Sequence, residues 1–87
     1  MEVNARLKKA RADLVVLDEQ LVVMTDEADE ARVRALVDEN PASGKEHREA
    51  QKHADAMARS RTALLATIAE LESTQDRLLD ELVPGSR

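Results

Sequence analysis

The chain has 87 residues, no cysteine and no aromatic residue; 36% of its residues are charged and its formal net charge is −5. A chain of this length forms at most one small domain, and without cysteine it has neither a disulfide nor a thiolate metal site. The acidic balance disfavours nucleic acid as a partner. No apolar run reaches the roughly 18 residues that span a bilayer, and the N-terminus lacks the regions of a signal peptide, so we expect a cytoplasmic protein without membrane contact.

The first predicted element is a helix over residues 2–39. Its apolar residues recur at alternating spacings of four and three, and no proline or glycine interrupts them. This heptad pattern is typical of a helix that packs along a partner helix. We expect the helix to end where Asn40 supplies a left-handed cap and Pro41 prevents continuation. The apolar seam comprises Val3, Leu7, Ala10, Leu14, Leu17, Leu21, Met24, Ala28, Ala31 and Ala35.

A second apolar face lies on nearly the opposite side of the same helix. Two pairs of adjacent valines stand one heptad apart, and β-branched residues are uncommon at solvent-facing helix positions. We therefore predict an interface there, occupied by a second copy of the chain in a homodimeric four-helix bundle or by a different protein. We call this surface the valine face, and its residues are Val15, Val16, Val22, Val23, Val33, Leu36 and Val37.

A turn over residues 40–43 and a second helix over residues 44–83 follow. Ser43 and Glu46 have the spacing of a capping box, which places the helix start at Gly44. Residues 1–83 then form a single domain, and residues 84–87 form a flexible tail or the remnant of a cloning linker. The seam of the second helix comprises His47, Ala50, Ala54, Met57, Arg61, Leu64, Ile68, Leu71, Gln75, Leu78 and Leu82.

Two helices of similar length joined by a short turn pack as antiparallel neighbours. The predicted fold class is therefore all-α, an antiparallel two-helix coiled-coil hairpin. Matching the two seams about the predicted turn gives a register. Its facing pairs include Leu7 with Leu78, Leu14 with Leu71, Ala10 with Gln75, Met24 with Arg61, Arg11 with Glu72, Arg6 with Glu81 and Asp38 with His47.

Two polar residues interrupt the second seam. We expect the stem of Arg61 to pack in the core while its charged head reaches Glu27, and the alternative is an acid of another subunit. Gln75 is expected to set the register. At the tip, Asp38 and His47 are expected to form an ion pair that fixes the turn.

A search for chemistry finds no predicted catalytic, cofactor-binding or metal-binding residue and no small-molecule substrate. His47 and His53 do not share a helix face, and Glu49 with His53 is the one pair at metal-ligand spacing. The sequence therefore predicts a non-catalytic protein-protein interaction or scaffolding module. A helical metal-binding bundle is the alternative from another class.

The hairpin also carries acidic residues near its predicted tip, namely Asp38, Glu39 and Glu46. In shape it resembles the N-terminal coiled coil of Gre-type transcript cleavage factors, which insert into RNA polymerase. The acids are interrupted here by Pro41 and Lys45, and the second domain of that family is not in this sequence. The resemblance implies a regulator that docks on a larger partner such as RNA polymerase.

Overall fold

The computed structural model describes residues 2–83, which form two helices and no strand. Helix α1 spans Glu2–Asp38 and helix α2 spans Pro41–Leu82. They pack side by side as an antiparallel hairpin measuring 67 × 16 × 16 Å. The predicted all-α helical hairpin is confirmed, whereas its dimerisation remains a prediction. The prediction for residues 84–87 lies outside the described residues. Neither described helix combines the length and the apolar character needed to cross a membrane.

The turn is shorter than predicted, because it consists of Glu39 and Asn40 alone. Glu39 adopts the left-handed conformation, with φ 52°, and Asn40 is extended, with φ −112° and ψ 154°. Asn40 is therefore the N-cap of α2 and not the left-handed cap of α1. Pro41 begins α2, since the first turn of a helix needs no hydrogen bond from its missing N–H.

The cap of α2 also differs from the predicted capping box. The side-chain Oδ1 of Asn40 accepts a hydrogen bond from the backbone N–H of Ser43 at 3.0 Å. The hydroxyl of Ser43, which is buried, donates to Asp38 Oδ2 at 3.2 Å. Asp38 thus contacts Ser43, and the predicted ion pair of Asp38 with His47 is wrong. The earlier start of α2 moves His47 away from the end of α1.

The predicted seam of α1 does face α2. All ten of its residues are buried or half-buried, whereas their neighbours on α1 are mostly exposed. The best-buried cluster lies toward the free ends of the helices and contains Leu7, Ala10, Ile68 and Leu71. Near the turn the buried apolar residues are alanines, namely Ala28, Ala31 and Ala54.

The predicted register is wrong by about one heptad. Leu7 packs in a cluster with Leu71, and Leu78 is not part of that cluster. Gln75 Nε2 donates to Asn4 Oδ1 at 2.5 Å, although the prediction placed it against Ala10. The cause is the shorter turn, which advances the start of α2 from Gly44 to Pro41. Because a shift of seven residues returns every seam position to a seam position, the apolar pattern alone permits both registers.

Candidate interaction surface

Every residue of the valine face is exposed to solvent on the hairpin. Each of its seven residues has between 51% and 74% of its surface accessible, with Val33 the least and Val37 the most exposed. The face lies opposite α2 because its positions are half a helical turn away from the seam. Four of the valines, Val15, Val16, Val22 and Val23, lie near the middle of α1 and are called the central valines.

Charged residues flank and interrupt the valine face. Lys8 and Lys9 follow the same side toward the N-terminus, while Asp26, Asp29 and Glu30 interrupt the face between Val23 and Val33. Lys9 Nζ forms an ion pair with Asp13 at 2.8 Å, and both side chains remain exposed. Among the described residues, Lys8, Asp29 and Glu30 form no ion pair.

The middle of the hairpin core is itself only half-buried. Leu17, Leu21 and Met24 of the α1 seam keep part of their surface accessible, because two helices cannot enclose a row of large side chains. Shallow, open grooves run beside them. One is lined by residues including Val23, Met24 and Met57, and another by residues including Leu21 and Val22. Apolar surface is therefore continuous from the edge of the core to the valine face.

Both polar residues of the α2 seam find a partner on α1. Arg61 Nε donates to Asp18 Oδ1 at 2.5 Å, and the two side chains are 39% and 44% exposed. The expected contact of Arg61 with Glu27 is wrong, because in the observed register Asp18 lies closer. Neither Asp18 nor Asn4, the partner of Gln75, was predicted as a contact. A search for acids at each possible heptad shift could have found Asp18.

Two ion pairs were predicted to set the direction of the hairpin. Arg11 Nη2 lies 3.2 Å from Glu72 Oε2, so this pair is confirmed despite the changed register, since two long side chains can span about one helical turn. The predicted pair of Arg6 with Glu81 is not among the ion pairs of residues 2–83. Both observed partners are more than half exposed, so the pair contributes little stability.

At the tip, two of the three acids are engaged within the hairpin. Asp38 accepts the hydrogen bond from Ser43, and Glu46 lies 3.9 Å from Arg34 Nε. Glu39 is exposed in the turn. Of the acids that carried the resemblance to transcript cleavage factors, Glu39 alone therefore has neither of these two contacts.

The histidines lie on the same half of the molecule. His53 and Glu49 line a shallow groove together with Glu27 and Glu46, and His47 is half-buried on the seam. Within residues 2–83, no group of three or more His, Asp or Glu side chains is placed to hold a metal ion.

No model of a known protein family, no curated protein and no solved structure matches the chain.

Proposed function

We propose that the chain is a non-catalytic protein-protein interaction or scaffolding module that self-associates through the valine face, giving a homodimeric four-helix bundle. The observation that carries the proposal is the exposure of all seven apolar residues of the valine face on a hairpin whose seam already packs against α2. Val15, Val16, Val22 and Val23 form a contiguous apolar patch within this face, and such a patch is typical of an interface in a folded protein.

Association would also serve the stability of the chain. The buried core contains few large side chains, with Leu7, Ile68 and Leu71 its only buried Leu or Ile residues within residues 2–83. Small domains with so limited a core are commonly stabilised by oligomerisation. Covering the valine face would place α1 between two neighbours and add the apolar burial that one hairpin lacks.

The shape of the hairpin supports a binding role over an enzymatic one. A catalytic site needs a concave pocket that excludes water around converging groups, and the grooves described above are shallow and open. A different protein with an apolar helix could occupy the same face, and a regulator that docks on RNA polymerase is one form of that alternative. A metal-binding bundle would require Glu49 and His53 to gain further ligands from another chain.

The test is the absolute mass in solution, measured by light scattering with refractive-index detection because the chain lacks aromatic absorbance. We expect twice the 9.6 kDa mass of one chain. The double variant Val16→Glu with Val23→Glu should return the mass to that of one chain and lower the helicity.

The matched control places two glutamates on exposed apolar positions of the other helix, Ala66→Glu with Ala69→Glu. It should leave the dimer mass unchanged. A monomeric wild-type chain would refute self-association and leave the valine face to another protein. A melt with and without Zn²⁺ tests the metal-binding alternative, which requires a dose-dependent rise in Tm.

A further inference from the structure

We infer that two chains pair antiparallel along the valine face, with the twofold axis close to Glu19 of each chain. This inference rests on the proposed self-association and specifies its direction and register. It is argued from the order of apolar and charged residues on either side of Glu19, all of which are exposed on the hairpin.

The four central valines are arranged symmetrically about Glu19. Val15 and Val16 precede it by four and three residues, and Val22 and Val23 follow it by three and four. In an antiparallel pair, residues of the same heptad position face each other on the same side of the two helices when their distances from the axis differ by no more than one residue. Val15 then meets the partner's Val22, and Val16 meets the partner's Val23.

The charges beyond the valines are complementary about the same axis. Lys8 and Lys9 lie on the N-terminal side of Glu19, and Asp29 and Glu30 lie at the corresponding distance on the other side. The antiparallel arrangement brings Lys8 to the partner's Asp29 and Lys9 to the partner's Glu30. The twofold axis repeats both pairs. A parallel dimer would instead place each of these residues against its own copy, and facing like charges disfavour association.

Each alternative antiparallel register loses either the contacts between valines or the pairs of lysine with acid. A shift of one heptad in one direction sets Lys8 against the partner's Val22, and a shift in the other direction sets Val15 against the partner's Asp29. Among these registers, only the axis at Glu19 matches the four central valines with each other and lysine with acid. Charge complementarity thus selects a second copy of this chain as the occupant, in one direction and one register.

Two local costs accompany this arrangement. Glu19 faces its own copy at the axis, and because the four valines flank it there, the repulsion of the two carboxylates is the larger cost. Lys9 exchanges its exposed ion pair with Asp13 for a pair with the partner's Glu30. This exchange costs little, since exposed ion pairs contribute little.

Charge reversal tests the pairing, with the dimer Kd measured by sedimentation equilibrium with interference optics. Lys8→Glu with Lys9→Glu should raise Kd by about tenfold or more, and Asp29→Lys with Glu30→Lys should do the same, because each creates like-charge contacts at both ends of the interface. The chain carrying all four substitutions should recover a Kd within about threefold of the wild type. The matched control, Lys45→Glu with Lys52→Glu, makes the same change in net charge on exposed positions of α2 and should leave Kd nearly unchanged.

Introduced cysteines test the direction independently, because the chain has none of its own. Glu19→Cys should form an interchain disulfide on mild oxidation, since the axis brings the two copies together. Val33→Cys should remain unlinked in the antiparallel dimer, where its two copies lie about 40 Å apart along the helices. A parallel dimer would link both variants.

The outcomes separate the inference from the proposed function. Recovery of Kd in the fourfold variant, together with linkage of Glu19→Cys alone, supports the inference. A dimer that is disrupted by Val16→Glu with Val23→Glu but is indifferent to the charge reversals, or that links through Val33→Cys, overturns the inference and leaves the proposed function standing. A monomeric wild-type chain overturns both.

Discussion

At the scale of single residues, Asn40 determines where the chain reverses. Its side chain accepts the hydrogen bond of the Ser43 N–H, and its backbone carbonyl accepts that of Gly44 at 3.3 Å. The first satisfies a donor that the start of a helix otherwise leaves free, and the second is the first bond of α2. Pro41 follows at the position where its fixed φ suits a helix start.

We expect Asn40→Ala to lower the free energy of unfolding by about 1 kcal/mol, because the Ser43 N–H loses its acceptor. Urea unfolding followed by far-UV circular dichroism measures the change. Asn40→Ser retains a side-chain oxygen and should lose much less. Equal losses in the two variants would show that the cap does not stabilise the turn.

Arg61 is a polar residue that contributes more to the choice of helix register than to stability. It occupies a seam position of α2 and pairs with Asp18, yet both side chains keep over a third of their surface in solvent. Such a pair contributes at most about 1 kcal/mol. It does favour the observed register, because another register would take the guanidinium away from Asp18.

Arg61→Leu should therefore raise the free energy of unfolding by about 1 kcal/mol, since the apolar side chain gains burial in the half-open core. The change is measured by urea unfolding at one protein concentration. Arg59→Leu, at an exposed position of the same helix, should change stability by less than about 0.5 kcal/mol. A clear loss of stability in Arg61→Leu would show that the ion pair outweighs packing.

At the scale of the elements, the two helices touch through different side chains along their length. Near the free ends Leu7, Ile68 and Leu71 fill the interface, whereas near the turn Ala28 and Ala31 are each only 2% exposed. Alanine contributes little transfer free energy but permits close approach of the two helices. The stability of the half near the turn therefore depends on close packing of the two helices and on the short turn that joins them.

Ala31→Leu should destabilise the hairpin by about 1 to 3 kcal/mol, because a larger side chain does not fit between closely packed helices. Thermal unfolding by circular dichroism measures the effect. The matched control is Ala66→Leu at an exposed position of α2, which should stay within about 0.5 kcal/mol of the wild type. An unchanged Tm in Ala31→Leu would mean that the helices separate at little cost near the turn.

At the scale of the whole molecule, the hairpin is a narrow rod in which one face of α1 meets α2 and the opposite face is open. If folding and self-association are coupled as proposed, stability depends on protein concentration. We expect Tm to rise steadily over an about hundredfold range of concentration. The Val16→Glu, Val23→Glu variant should show one lower Tm throughout. A wild-type Tm independent of concentration would contradict coupled association.

The valine face could be recognised from the sequence because a heptad pattern determines which side of a helix meets its partner. Once the seam from Val3 to Ala35 is identified, the opposite side follows from helical geometry, and the exposure of Val15 and Val37 agrees with it. The charged residues around that face, such as Lys8 and Asp29, can also be read from the sequence. Their complementarity emerges only when α1 is considered against a second copy of itself.

By itself, the sequence determined the helices, their antiparallel order and the face that each presents, because these depend on local periodicity and on a single break in it. The register between the helices was decided only in the tertiary structure. A heptad pattern repeats when shifted by seven residues, so the choice falls to the two-residue turn at Glu39 and Asn40 and to the contacts of Arg61 and Gln75. Those contacts join residues far apart in the chain. They can favour one register over another only once the two helices have packed together.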